Sequence, residues 1–291
     1  MRVCRGSNAN RMAGGSFMRF FSLFLLLVFI QISFLAYAAP GADERITTLR
    51  NIVEKDKKNE KARQALADIT VEYAGKIEAA EATGREAEAR NLLERIRIDL
   101  FDTLWRVDRR AKSGDGKAQA AMGLLHSKGV LAEKNNVKAC EFYHKASIQS
   151  LPAATYHASL CSAKTDQQRS IDLMLQAATG GHAAAQELVA HACFNLKPQE
   201  LECAVEWATL AMQQGRPSAM TLLAHFYAEG IGVPQDLPKA FLLCSLAAEE
   251  GDATAQYNLG KMYETGSGTD ANQELAAQWY RRAAESGYQP K

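Results

Sequence analysis

Residues 217–252 laid on 253–288 without a gap give ten identities: Ala219/Ala255, Leu223/Leu259, Tyr227/Tyr263, Gly230/Gly266, Gly232/Gly268, Ala240/Ala276, Ala247/Ala283, Ala248/Ala284, Glu249/Glu285 and Gly251/Gly287. Average composition would give about two or three. A chain that restates itself at this period is built from stacked supersecondary units, so the repeat sets the architecture before any single residue is considered. The register extends upstream. "GKAQAAMGLLHSKGV" and "NNVKACEFYHKAS" place Gly123, Gly129, Ala139, Tyr143 and Ala146 under Gly260, Gly266, Ala276, Tyr280 and Ala283. Two further copies, 152–182 and 183–216, keep both helices, shorten the loop between them and lack its Gly-x-Gly. Five copies result: 116–151, 152–182, 183–216, 217–252 and 253–288.

Each copy reads as two helices. In helix A of the last copy, Ala255, Leu259, Gly260 and Tyr263 recur at helical spacing, and Gly266 takes the left-handed position that ends it. Helix B starts behind a column of capping residues, Asn135, Asp166, Glu200, Asp236 and Asn272. All but the Glu are strong N-caps. Small residues such as Ala276 and Ala283 mark close helix crossings, while Tyr263 and Trp279 fill wider gaps. A unit of this length cannot bury its own apolar face and is stabilised by stacking.

The pattern LGxxYxxGxG followed by AxxWYxxAAxxG, as in Leu259 to Gly287, resembles the Sel-like repeat (SLR) family of tetratricopeptide-like proteins. The resemblance covers about 116–288. It implies an all-α, right-handed α-solenoid whose A helices line a concave face, and a role as an adaptor in protein complexes.

Upstream, 61–115 is strongly helical, with Leu93, Ile96, Leu100, Leu104 and Val107 at spacings of three and four. Thr83-Gly84 is expected to break it into a hairpin, with Arg85 to Ser113 as one helix capping the repeats. Residues 39–60 hold a short helix and the mixed-sign run "EKDKKNEK", read as a solvated linker. Further upstream, Arg19 precedes an apolar run that ends in Ala36-Tyr37-Ala38, the pattern of a signal peptide cleaved after Ala38. An uncleaved anchor is the alternative, because Phe20 to Ala38 is about long enough to span a bilayer. The segment before Met18 reads as either a long n-region or an upstream mis-start, because Met18 by itself opens a more typical signal peptide.

Export makes the remaining cysteines candidates for disulfides. Antiparallel neighbouring helices bring together residues equidistant from their turn. Cys193 and Cys203 are symmetric about Pro198, and Cys140 and Cys161 about Ser150-Leu151, so both pairs suit the Cα separation of a bridge. Cys244 has no mirror partner and is expected to be buried and free. The alternative is that all five are small core residues.

Signatures of catalysis are sparse. The chain has no His-Glu-x-x-His, Gly-x-Ser-x-Gly, Ser-x-x-Lys, Gly-Lys-Ser/Thr or Cys-x-x-Cys, and no cofactor site is expected. The net charge of +1 gives no electrostatic case for nucleic acid. One repeat position varies instead: Leu124, Leu160, His191, His225 and Lys261. Stacking would set these one above another on the exposed side of helix A, bordered by Glu187, Tyr257 and Asn258, as a strip able to receive an extended peptide or acidic tail. Two histidines alone make a poor metal site. The sequence therefore points to an exported, non-enzymatic adaptor for a protein or peptide, in a bacterial periplasm or secreted. A binder or weak hydrolase of cell-wall fragments is the first alternative, an endoplasmic-reticulum quality-control adaptor the second. The absence of any Asn-x-Ser/Thr acceptor weighs against the last.

Overall fold

The computed structural model describes residues 40–196 and 201–289. The predicted signal segment, Pro198 and the Glu200 cap lie outside them. The described residues form fourteen helices and no strand, and the chain divides into two compact units, 1–66 and 67–291.

The described part of the first unit holds α1 (Pro40–Lys55) and the opening turns of α2 (Glu60–Ala82). Asp56 to Asn59 form the turn between them, and the Asn59 side chain accepts from Ala62 N as a helix cap.

In the second unit α2 continues to Ala82, followed by α3 (Glu86–Asp99) and α4 (Leu104–Lys112). Gly84 turns the chain at φ +82°. The single helix expected over Arg85 to Ser113 is two helices. The Thr103 hydroxyl donates to Leu100 O at 2.7 Å and lies 2.7 Å from the Thr70 hydroxyl. A threonine that turns back on the preceding backbone competes with helix continuation, and the contact with α2 fixes the break.

The five copies follow as α5 (Gly116–Lys128) with α6 (Asn136–Ser147), α7 (Pro152–Ser162) with α8 (Gln167–Thr179), α9 (Ala183–Leu196) with α10 (Leu201–Gln213), α11 (Pro217–Glu229) with α12 (Leu237–Glu249), and α13 (Ala253–Thr265) with α14 (Gln273–Glu285). Asn135, Asp166, Asp236 and Asn272 each accept from the backbone N–H three residues on, at 3.0 Å. Gly129, Gly230 and Gly266 end their A helices in the left-handed region.

The second glycine of each loop has a separate reason. A Cβ on Gly232 would lie 2.7 Å from Leu201 O, and one on Gly268 only 2.2 Å from Leu237 O. Each Gly-x-Gly loop is thus pressed against the first residue of the preceding copy's B helix, and the contact belongs to stacking.

Within a copy, A and B helices meet at a volume-matched pair. The Gly123 Cα faces the Tyr143 ring and Gly260 faces Tyr280, with no room for a Cβ. In the second copy the same positions hold Ser159 and Met174, in contact at 3.9 Å. In the third and fourth they hold Ala190 with Ala208 and Ala224 with Cys244, all buried in one cluster. Cys244 therefore fills the space that tyrosine fills elsewhere, and its thiol donates to Ala255 O at 3.2 Å.

Between copies, the Gln119, Gln186 and Gln256 amides donate to the carbonyls of Ala111, Ala178 and Ala248 at 3.0–3.2 Å. These glutamines share one repeat position that the sequence reading passed over. Ala111 lies on α4, so α4 takes the part of a B helix for the first copy.

Candidate functional site

The varied column splits in the structure. His191, His225 and Lys261 are exposed on α9, α11 and α13, and Tyr257 and Asn258 are half-buried beside them. Leu160 is exposed as well, whereas Leu124 is fully buried. The cause lies one helical turn further along α5, where Lys128 pairs with Glu81 of α2 at 2.5 Å. The end of α2 covers this face of the first copy.

Glu187 departs from its expected place at the border of an open strip. It is buried, and Arg216 Nε donates to its Oε2, with His191 Nε2 3.8 Å from Oε1. Burial alone would raise this carboxyl, but the His191 and Arg216 side chains beside it outweigh burial and hold it at about 2. The same guanidinium donates through Nη1 to Ala82 O at 2.7 Å. Arg216 thus caps the C-terminus of α2, where exposed carbonyls favour a cation.

These contacts define the course of α2. Near its start in this unit, Asp68 pairs with Arg110 of α4 at 2.6 Å. At its end, Glu81 meets Lys128 of α5, Ala82 meets Arg216, and a Cβ on Gly84 would lie 3.3 Å from Pro217 at the start of α11. The helix therefore runs across the A helices from α4 to α11.

Below it lies a row of stacked rings. Tyr143 and His157 stack with centroids 4.5 Å apart, Tyr156 meets His157 edge-on at 5.3 Å, and Tyr156 stacks on His182 at 4.3 Å. Burial, with Lys128 nearby, pushes His157 down to about 4. Burial, with His157 and Arg216 nearby, pushes His182 down to about 3. Both imidazoles are neutral at physiological pH and act as flat packing surfaces. Glu78 of α2 is buried with Oε1 lacking any hydrogen-bond partner. Burial and the Glu81 charge push it up to about 8.

Sequence reasoning did not foresee this covering helix, although its signal is present. Ile69, Tyr73, Ile77 and Ala80 form one buried stripe of α2, and Ala67, Val71, Ala74 and Ala82 form a second. One arm of a simple hairpin needs a single stripe.

At the far end, Tyr257 stacks on Tyr288 at 4.4 Å and contacts Tyr280 at 5.3 Å. The Tyr280 hydroxyl donates to Glu264 at 2.6 Å. No cluster of metal-ligating side chains occurs among the described residues.

Both cysteine pairs come together. Cys140 of α6 and Cys161 of α7 are joined in a disulfide, Cα atoms 5.7 Å apart, which ties the first copy to the second. The other expected pair also meets: the buried Cys193 and Cys203 sulfurs face each other at 2.9 Å, at the end of α9 and the start of α10.

Comparison with known proteins identifies the repeat. The Sel1 repeat family matches residues 116–151, 154–182, 217–252 and 253–288. A chitin synthase regulator of Saccharomyces cerevisiae is 33% identical over 124 residues, 41% of this chain and 18% of that protein. Chitin synthase regulatory factor 3 of Schizosaccharomyces pombe is 29% identical over 194 residues, 59% of this chain and 20% of that one. This chain thus matches about a fifth of the length of either fungal relative. The crystal structure of a Sel1 repeat protein from Oxalobacter formigenes superposes with a TM-score of 0.54 over 64% of this chain and 85% of that one, at 24% identity, a likeness of fold. Stacked helix pairs, loop glycines and family match agree, and the chain belongs to the Sel1 repeat family.

Proposed function

We propose that the protein is a non-enzymatic adaptor that holds a partner protein or peptide along the A-helix positions carrying His191, His225 and Lys261, with Tyr257 and Asn258 at the border. One observation carries this reading: His191, His225 and Lys261 are exposed at one repeated A-helix position, and the chemistry of that position changes from copy to copy. Side chains released from the repeat pattern are free to select a partner, and repeat proteins offer extended surfaces suited to that use. The fungal relatives are, by name, regulators of an enzyme, in keeping with a binding role. The test is crosslinking in native cells with wild type and His225→Ala/Lys261→Glu, which leaves in place the His191 side chain that supports Glu187. Loss of the captured partner by at least about tenfold, with unchanged Tm, is expected, since exposed substitutions change stability little. Equal capture by both proteins removes the column from the site.

The proposed setting is the bacterial envelope, supported by the sequence pattern ending in Ala36-Tyr37-Ala38. There Cys193 and Cys203 would close a second bridge, since their sulfurs already touch. Intact mass of protein alkylated without prior reduction should show a chain starting at Ala39 with one alkylated thiol, Cys244. Three modified thiols would reject the second bridge, and a retained leader would reject cleavage.

A further inference from the structure

Neighbouring A helices of the last three copies lie against one another. Phe194 of α9 packs on Phe226 of α11 with ring centroids 5.4 Å apart and meets His225 edge-on at 6.2 Å. The Thr221 hydroxyl of α11 donates to Asp252, the cap of α13, at 3.1 Å. Helices in direct contact have axes about 8–10 Å apart. That step separates His225 from Lys261, which share one repeat position and are both exposed.

The step selects the form of a ligand. An extended chain rises about 3.1–3.4 Å per residue and so covers the step in three residues. In a polyproline II helix every third side chain faces the same way, whereas in a β-strand the third one points to the opposite face. A partner helix needs an apolar groove for its stripe. On α9, α11 and α13 the one exposed large hydrophobic among the described residues is Leu188, two copies away from Lys261. Half-buried rings flank the two positions instead, Phe194 beside His225 and Tyr257 one turn before Lys261. Proline-rich segments dock on such surfaces.

Charge selects the ligand's side chains. Lys261 offers only donors, and the His225 imidazole donates through one ring nitrogen when neutral and through both when protonated. His191 is engaged elsewhere, its Nε2 3.8 Å from Glu187 Oε1. Glu229 and Glu264 are exposed one turn beyond His225 and Lys261. A carboxylate is therefore attracted over the column and repelled beyond it.

We infer, resting on the reading of this column as the partner site, that the partner segment is an extended peptide of polyproline II form with two acidic side chains three residues apart, one for His225 and one for Lys261. The test is fluorescence anisotropy of the full chain with labelled synthetic peptides of two Asp and seven Pro, which differ only in the separation of the acids. The peptide with acids three apart should bind saturably, at least about tenfold more tightly than those with acids two or four apart, since one charge-assisted hydrogen bond is then lost. Glycine in place of the prolines should weaken it, because the bound form is no longer preformed. Lys261→Glu should weaken binding at least about tenfold and remove the preference for spacing, while His225→Lys should keep both. These substitutions are exposed, and an unchanged Tm separates binding from folding. Absence of saturable binding, indifference to spacing, indifference to the glycine exchange or indifference to Lys261→Glu each overturns the inference. If spacing is immaterial while capture in cells still depends on His225 and Lys261, the ligand form falls and the adaptor site stands. Capture independent of both residues removes the site itself.

Discussion

Gly268→Ala should destabilise the protein by about 3 to 5 kcal/mol, the largest loss expected from any single methyl group added to the chain. Two costs combine. Gly268 sits at φ +76°, where an L-residue pays about 1–2 kcal/mol. The new Cβ would also lie 2.2 Å from Leu237 O, and a helix's first carbonyl cannot yield without moving α12. Gly287→Ala is the control, because its φ is +87° but no atom lies within 4 Å of the added Cβ. That variant should lose only the conformational part. Because copies stabilise one another across their interfaces, the Gly268 variant should also lose cooperativity, with the last copy melting ahead of the rest. Urea unfolding followed by circular dichroism separates these outcomes. Equal midpoints for the two variants would refute the role given to the Gly-x-Gly loop.

Glu187→Gln should lower stability by about 2 to 3 kcal/mol at pH 7, and the loss should fade in acid. The carboxyl is held at about 2 when folded, against 4.5 for the unreacted group. A depressed folded value means that the charged form stabilises the fold above about pH 4.5, and that this contribution disappears as pH falls towards 2. Wild type and variant should therefore converge over that interval and differ by a constant amount above it. Burial opposes the charged form here, so the effect rests on Arg216 and His191 rather than on the site's polarity. A difference independent of pH between 3 and 7 would show that Glu187 acts by shape alone.

Much of the repeat architecture was legible because it is local. The helix-ending glycines and the capping Asn and Asp residues act within a few residues of themselves, so their meaning does not depend on what packs above them. The exposed column was legible in part. His191, His225 and Lys261 are exposed as the repeat register implies, but Leu124 and Glu187 are not. Both departures come from neighbours outside the repeat register: the end of α2 lies over the first copy through Lys128, and Arg216, which also caps α2, pairs with Glu187. A register argument compares copies with one another and is blind to a segment outside the repeat that lies across them.

Cys193 and Cys203 show the same division at smaller scale. Their symmetry about Pro198 predicted that they would meet, and they do, at 2.9 Å. Whether sulfurs at that separation are joined is a matter of redox chemistry, which spacing does not encode.

By itself the sequence determined the helix pairs, where each begins and ends, and which positions must be small, since backbone geometry and steric size act at short range. Only the tertiary structure decided why Gly123 faces Tyr143 while Ala224 faces Cys244, why Gly268 tolerates no side chain, and which part of the A-helix surface is open. These are properties of surfaces brought together by stacking and by α2, where the volume and charge of one element set what its neighbour can hold.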